Sequence, residues 1–155
     1  MKHDGIKILL LILGVMAGAA SCKTLSEKKI DSAYVMVYDY ENSEVMNVSL
    51  YMDEEELGKT DVYGRFLFPV DDSEEHVIKA VKDGYETVEQ KMLLKPGILI
   101  YFKLGSGSYY AKEAEKLLDA KRYESALSMI NTALKIEERK DWQYLKSVIV
   151  KRMKK

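Results

Sequence analysis

The chain has 155 residues, 47% of them apolar and 32% charged, with a net charge of −1. That composition excludes a largely disordered chain, and the near-neutral balance excludes a uniformly basic nucleic-acid binder. The length admits one ordinary domain or two small ones.

The N-terminus reads as an address. Lys2 and Lys7 precede an uncharged apolar run, Ile8 to Ala20, that ends at Ser21-Cys22. A positive start, a short apolar core and small residues at its end predict a secretory leader. The run falls short of the ~20 apolar residues a spanning helix needs. Ala17-Gly18-Ala19 fits an ordinary leader-peptidase cut, which would leave a soluble product. Ala19-Ala20-Ser21-Cys22 resembles the lipobox of bacterial lipoproteins, with Ala19 where that family usually has Leu. The resemblance implies cleavage between Ser21 and Cys22, a diacylglycerol on the Cys22 sulfur, and attachment to a bacterial membrane, the outer membrane being favoured. Cys22 is the single cysteine, so no intramolecular disulfide can form. A bare thiol in an oxidising compartment would need another explanation. Residues 22–32 then form the lipidated end and a polar, unpatterned tether.

Residues 33–104 change character. Short apolar runs at period two are separated by turn residues, the pattern of strands. Runs are expected over 33–38, 47–52, 65–70, 76–82, 85–94 and 98–104, with turns at Asp61-Val62-Tyr63-Gly64, Asp83-Gly84 and Lys95-Pro96-Gly97. Six or seven short strands without an intervening helix suggest a small antiparallel β sandwich. Phe66 and Phe68 are spaced to face one side, as are Val48, Leu50 and Met52. Gly58-Lys59-Thr60-Asp61, Gly64-Arg65-Phe66 and Lys82-Asp83-Gly84-Tyr85-Glu86 resemble the carboxypeptidase regulatory-like and PEGA-type domains. That resemblance implies a transthyretin-like sandwich with an accessory or display role and no catalysis of its own. The opening glycine- and proline-rich stretch of those families is missing.

Gly105-Ser106-Gly107-Ser108 reads as a flexible linker. From residue 109 to 155 the period becomes 3.6, predicting amphipathic helices broken near Lys121-Arg122 and Arg139-Lys140. Ala114, Leu117, Tyr123, Ala126, Ile130 and Ala133 fall at a spacing that resembles one tetratricopeptide repeat, without its terminal proline. The fold class expected is therefore α+β: a small antiparallel sandwich, then a helical hairpin and one further helix. Because repeat arrays usually need about three units, a lone one is expected to pack on the sandwich or on a partner.

The chemistry is sparse. Beyond the leader the sole histidine is His76, within a strand pattern and away from any nucleophile-elbow motif. With Cys22 acylated, neither a Cys–His pair nor a zinc cage of nitrogen and sulfur ligands is available. The acidic runs Asp53-Glu54-Glu55-Glu56 and Asp71-Asp72-Ser73-Glu74-Glu75 are placed in hairpin loops and lack calcium-loop spacing. No phosphate-binding or dinucleotide motif occurs. Between Glu41 and Glu75 eleven acids stand against Lys59 and Arg65, and from Arg139 to Lys155 seven cations stand against Asp141. Such asymmetry marks either interaction surfaces or solvated faces.

The expectation is a non-enzymatic cell-envelope lipoprotein acting through protein contacts. It would have no cofactor, metal, nucleic acid or small-molecule substrate. Tyr110, Tyr123 and Trp142 are its candidate partner contacts. The alternative is a carbohydrate- or peptidoglycan-binding lipoprotein, suggested by the 11 tyrosines.

Overall fold

The computed structural model describes residues 32–70 and 73–154; the leader, Ser21 and Cys22 lie outside the described residues. Seven strands come first among these: β1 Ser32–Asp39, β2 Ser49–Met52, β3 Glu55–Lys59, β4 Arg65–Pro69, β5 Glu75–Val81, β6 Val88–Leu93 and β7 Leu99–Leu104. Three helices follow, α1 Gly107–Asp119, α2 Tyr123–Ile136 and α3 Lys140–Met153. The strands form two sheets, ordered β4-β1-β7 and β3-β2-β5-β6.

Period two decides which side chains meet between the sheets. Ala33, Val35 and Val37 point inward from β1, and Ile100, Phe102 and Leu104 from β7. Leu50, Ile78 and Ala80 answer them from the other sheet, and Phe68 from β4. Phe66 is half-buried against the same cluster, and its ring stacks on Phe68 at 6.3 Å.

The α+β class and the sandwich followed by three helices are as expected, with three departures. The β1–β7 pair is parallel, pairing Tyr34 with Leu99 through Asp39 with Leu104, whereas the other pairs are antiparallel. Local periodicity cannot reveal pairing direction between strands this far apart in sequence.

The second departure concerns Asp53-Glu54-Glu55-Glu56. Only Asp53 and Glu54 form the turn, with φ of 49° and 75°, and Glu55 opens β3. Two consecutive positive φ values suit a tight hairpin turn. The strand itself is an edge strand with a single apolar side chain, Leu57, so no apolar alternation announces it.

The third departure is the linker. Ser106 is the N-cap of α1, its hydroxyl accepting the Tyr109 N–H at 3.0 Å, and Gly107 is already helical. A Cβ on Gly107 would lie 2.7 Å from the Trp142 ring, and one on Gly105 would collide with Tyr110. These glycines permit close packing of rings rather than supplying flexibility.

The helices bury their own cluster. Ala111 and Ala114 of α1 lie against Ala126, Ile130 and Ala133 of α2, with Trp142 and Ile149 of α3 closing the other side. Small residues on α1 and α2 let the two backbones approach. Lys121, at φ 59°, reverses the chain between them. No helix among the described residues is long and apolar enough to cross a membrane.

Candidate functional site

The two buried clusters meet at a small polar and aromatic junction, and Glu86 is at its centre. One carboxylate oxygen accepts the Gly105 N–H at 2.8 Å and the other accepts the Tyr110 hydroxyl at 2.7 Å. The Glu86 N–H donates to the Gly105 carbonyl, and the Gly107 N–H to the Gly84 carbonyl. A β-bridge joins Tyr85 to Ser106. The turn before β6 and the start of α1 are thus locked together by backbone as well as side chain.

Three tyrosines close the junction from the other side. The Tyr40 ring sits 5.2 Å from Tyr109 and 6.3 Å from Tyr110, the latter edge-on. Tyr109 and Tyr110 are themselves edge to face at 5.5 Å. Burial first, then the bonded Glu86 carboxylate, pushes the Tyr110 hydroxyl well above the usual phenol range. Burial, then the Glu86 charge, raises Tyr40 as well. Both phenols stay neutral at any physiological pH and act as donors and packing groups.

Beside this junction lies an open cleft of about 830 Å³. Lys82 to Thr87 form one wall, and Thr132, Lys135, Ile136 and Glu137 at the end of α2 form the other. The cleft offers both charge signs, two threonine hydroxyls and the turn around Gly84. Lys82 reaches back to the Met46 carbonyl at 2.6 Å. Such a surface can hydrogen-bond an extended polar chain.

The residues singled out from sequence are placed differently from one another. Trp142, expected as a partner contact, is only 6% exposed. It packs over Gly107 beneath the Arg139 guanidinium and belongs to the helical core. Tyr110 is half-buried with its hydroxyl committed to Glu86, so it joins the two modules rather than facing outward. Tyr123, half-buried at the start of α2, borders a shallow hollow with Met153.

His76 lies on β5, its Nδ1 2.6 Å from an Asp53 oxygen, while the other Asp53 oxygen accepts the Val77 N–H. The Val77 N–H first, then His76, hold the Asp53 carboxyl below the usual range. Together they fasten the β2–β3 turn to β5. Among the described residues, no three His, Cys, Asp or Glu side chains gather to hold a metal ion.

Sequence reasoning placed Glu86 within a motif but gave neither it nor Tyr40 a site role. Glu86 had a signal, since it follows directly on the Gly84-Tyr85 turn. Tyr40 had none, because its partners stand about seventy positions later.

No protein-family model matches the chain, and no curated protein matches it. Solved structures show distant likenesses. The Bacillus anthracis TIE protein superposes with a TM-score of 0.42 at 13% identity, over 50% of this chain and 17% of its own length. BcpA, the major pilin subunit of Bacillus cereus, gives 0.38 at 11%, over 48% of this chain and 27% of its own. A 3-chlorocatechol 1,2-dioxygenase from Rhodococcus opacus 1CP gives 0.34 at 15%, over 48% and 58%. This chain therefore spans less than a third of the length of the first two, and its fold assignment rests on its own strands and register.

Proposed function

We propose that this protein is a non-enzymatic lipoprotein of the bacterial cell envelope, held by acyl chains on Cys22 and working through protein contacts. The leader ending at the sole cysteine supports the anchor. The observation that carries the contact role is the cleft between the Lys82–Thr87 turn and the end of α2, where two separately cored modules offer paired polar walls. An extended segment of a partner, rich in backbone and polar groups, fits such walls. The outer membrane is the favoured site.

The β part is read as a carboxypeptidase regulatory-like or PEGA-type sandwich. Support comes from Thr60, Asp61, Gly64 and Arg65, which together build one turn. Thr60 Oγ1 donates to the Val45 carbonyl and accepts the Val48 N–H. Asp61 accepts the Tyr63 and Arg65 N–H groups. The helices are read as a single tetratricopeptide-like hairpin with a capping helix, supported by the alanines between α1 and α2.

The carbohydrate-binding alternative would draw on exposed tyrosines: Tyr63 and Tyr144 stand on different elements, whereas Tyr34 and Tyr101 share the outer face of the β4-β1-β7 sheet.

The test is photo-crosslinking in intact cells from Thr132 and Lys135 in the cleft, with Tyr144 on α3 as the outward control. The reading expects one defined envelope protein from the cleft positions and little from the control. Equal labelling from all three positions, or none, would contradict it.

A further inference from the structure

The two outer faces of the sandwich differ in kind. Outside the β3-β2-β5-β6 sheet most side chains are charged or polar and several are paired, with Leu93, 50% exposed and in register with Glu75, an apolar exception. Lys91 bonds Glu75 at 2.7 Å, Lys79 lies over the Tyr51 ring, and Glu89 stands in register with Lys79. That face is built for water.

The outer face of β4-β1-β7 is not. Tyr34 of β1 is in register with Leu67 of β4 on one side and Leu99 of β7 on the other. One row further along, Met36 is in register with Tyr101. Tyr34, Leu67, Leu99 and Tyr101 are 45%, 50%, 47% and 57% exposed, a contiguous apolar and aromatic patch across three strands. Patches of this kind on a folded surface mark sites of contact. The charges that alternation directs to the same face are Arg65, paired with Asp61 at 3.2 Å, and Lys103, which donates to Asn42, while the bridge to Tyr38 brings Glu44 to the edge of that face. Arg65 shares the Met36–Tyr101 row, and Lys103 lies one row further along, in register with Tyr38.

We propose that this face rests on the lipid headgroup layer, so that the sandwich lies against the membrane beside its own anchor. The proposal depends on the lipoprotein reading above and adds an orientation to it. Two features favour lipid over other occupants. Chain connectivity is the first. The patch begins two residues after Ser32, and nine residues, Lys23 to Asp31, separate Ser32 from Cys22. At ~3.5 Å per link, the ten links from Cys22 to Ser32 span at most about 35 Å, keeping the patch within immediate reach of the bilayer. Tethering makes this contact intramolecular, so that even a weak patch engages.

Chemistry is the second feature. Tyrosine rings with leucines suit the boundary between acyl chains and water. The Glu-rich opposite sheet then points away from the membrane.

The experiment uses the full lipidated protein in vesicles of phosphatidylethanolamine and phosphatidylglycerol. With Cys22 acylated, Leu67→Cys and Leu99→Cys each carry a single fluorescent label, and Glu89→Cys on the opposite sheet is the control. Labels at 67 and 99 should be severalfold less quenched by iodide than the label at 89, and quenched by doxyl lipid when the control is not. Iodide quenching equal at all three positions overturns the proposal. So does shielding at 67 and 99 that grows with protein density without lipid quenching, which would assign the face to a second copy. Intact mass of the same samples reports acylation, so a wet patch on an acylated protein defeats this inference alone, whereas a missing acyl group defeats the anchor.

Discussion

Thr60 to Arg65 show how a short motif becomes a structural instruction. Thr60 is buried at 3% exposure with both faces of its hydroxyl used, and Asp61 closes the turn that Gly64 completes at φ 68°. A Cβ on Gly64 would collide with the Val37 carbonyl, a rigid backbone atom. Gly64→Ala should therefore lower stability by about 2 kcal/mol or more, read as a shifted urea midpoint with an unchanged slope. An unshifted midpoint would show that the turn relaxes freely.

Acid sensitivity belongs to the same scale. Asp53 is held below the usual range by the Val77 N–H and then His76, and Asp61 by the Arg65 N–H, then the Tyr63 N–H and the Arg65 side chain. Lowered folded values mean stability that is fully present above the unfolded value of about 3.9 and is lost as pH falls through the folded values. Asp53→Asn should flatten part of the stability loss below about pH 4. A pH profile parallel to wild type would remove Asp53 from that account.

At the scale of elements, strands with alternating apolar residues were legible because one face of each is buried. Val35 and Val37, or Ile100 and Phe102, announce their sheet directly. Glu55 to Lys59 did not, since its one apolar side chain, Leu57, shows no alternation, and this edge strand is held largely by backbone pairing with β2. The parallel pairing of β1 with β7 was equally silent, being a matter of topology. Gly105 to Ser108 misled for a different reason: a glycine needed for ring packing looks in sequence like one needed for freedom. Ser106 was the available clue, standing at an N-cap position before a 3.6-residue pattern.

The junction tests whether that packing matters. Tyr110→Phe removes the donor to Glu86 and should cost about 1.5 kcal/mol, the scale of a hydrogen bond to a charged group. In a double-mutant cycle with Glu86→Ala the two losses should be strongly non-additive, with faster hydrogen exchange at the Gly105 amide. Additive losses would mean that the sandwich and the helices are joined by backbone bonds alone.

For the whole molecule, the candidate site was only partly readable. Trp142 and Tyr110 stood out as large aromatics, yet large aromatics are also what cores use most, and both are committed within the protein. The cleft beside them is made from residues of 81–87 and 132–137. Nothing in either segment alone reveals the other. The opposed character of the two sheet faces emerges only once register places Tyr34, Leu67 and Leu99 in one row.

On the proposed attachment at Cys22, a tether of nine residues would decide what the sandwich can touch. The direct measurement is intact mass and N-terminal peptide mapping of the protein extracted from membranes of its own cell. The account predicts a mature chain that starts at Cys22 and carries a diacylglycerol-sized addition, shed from membranes in Cys22→Ala. A chain that starts elsewhere, or an unmodified Cys22 in a fully soluble protein, would contradict it.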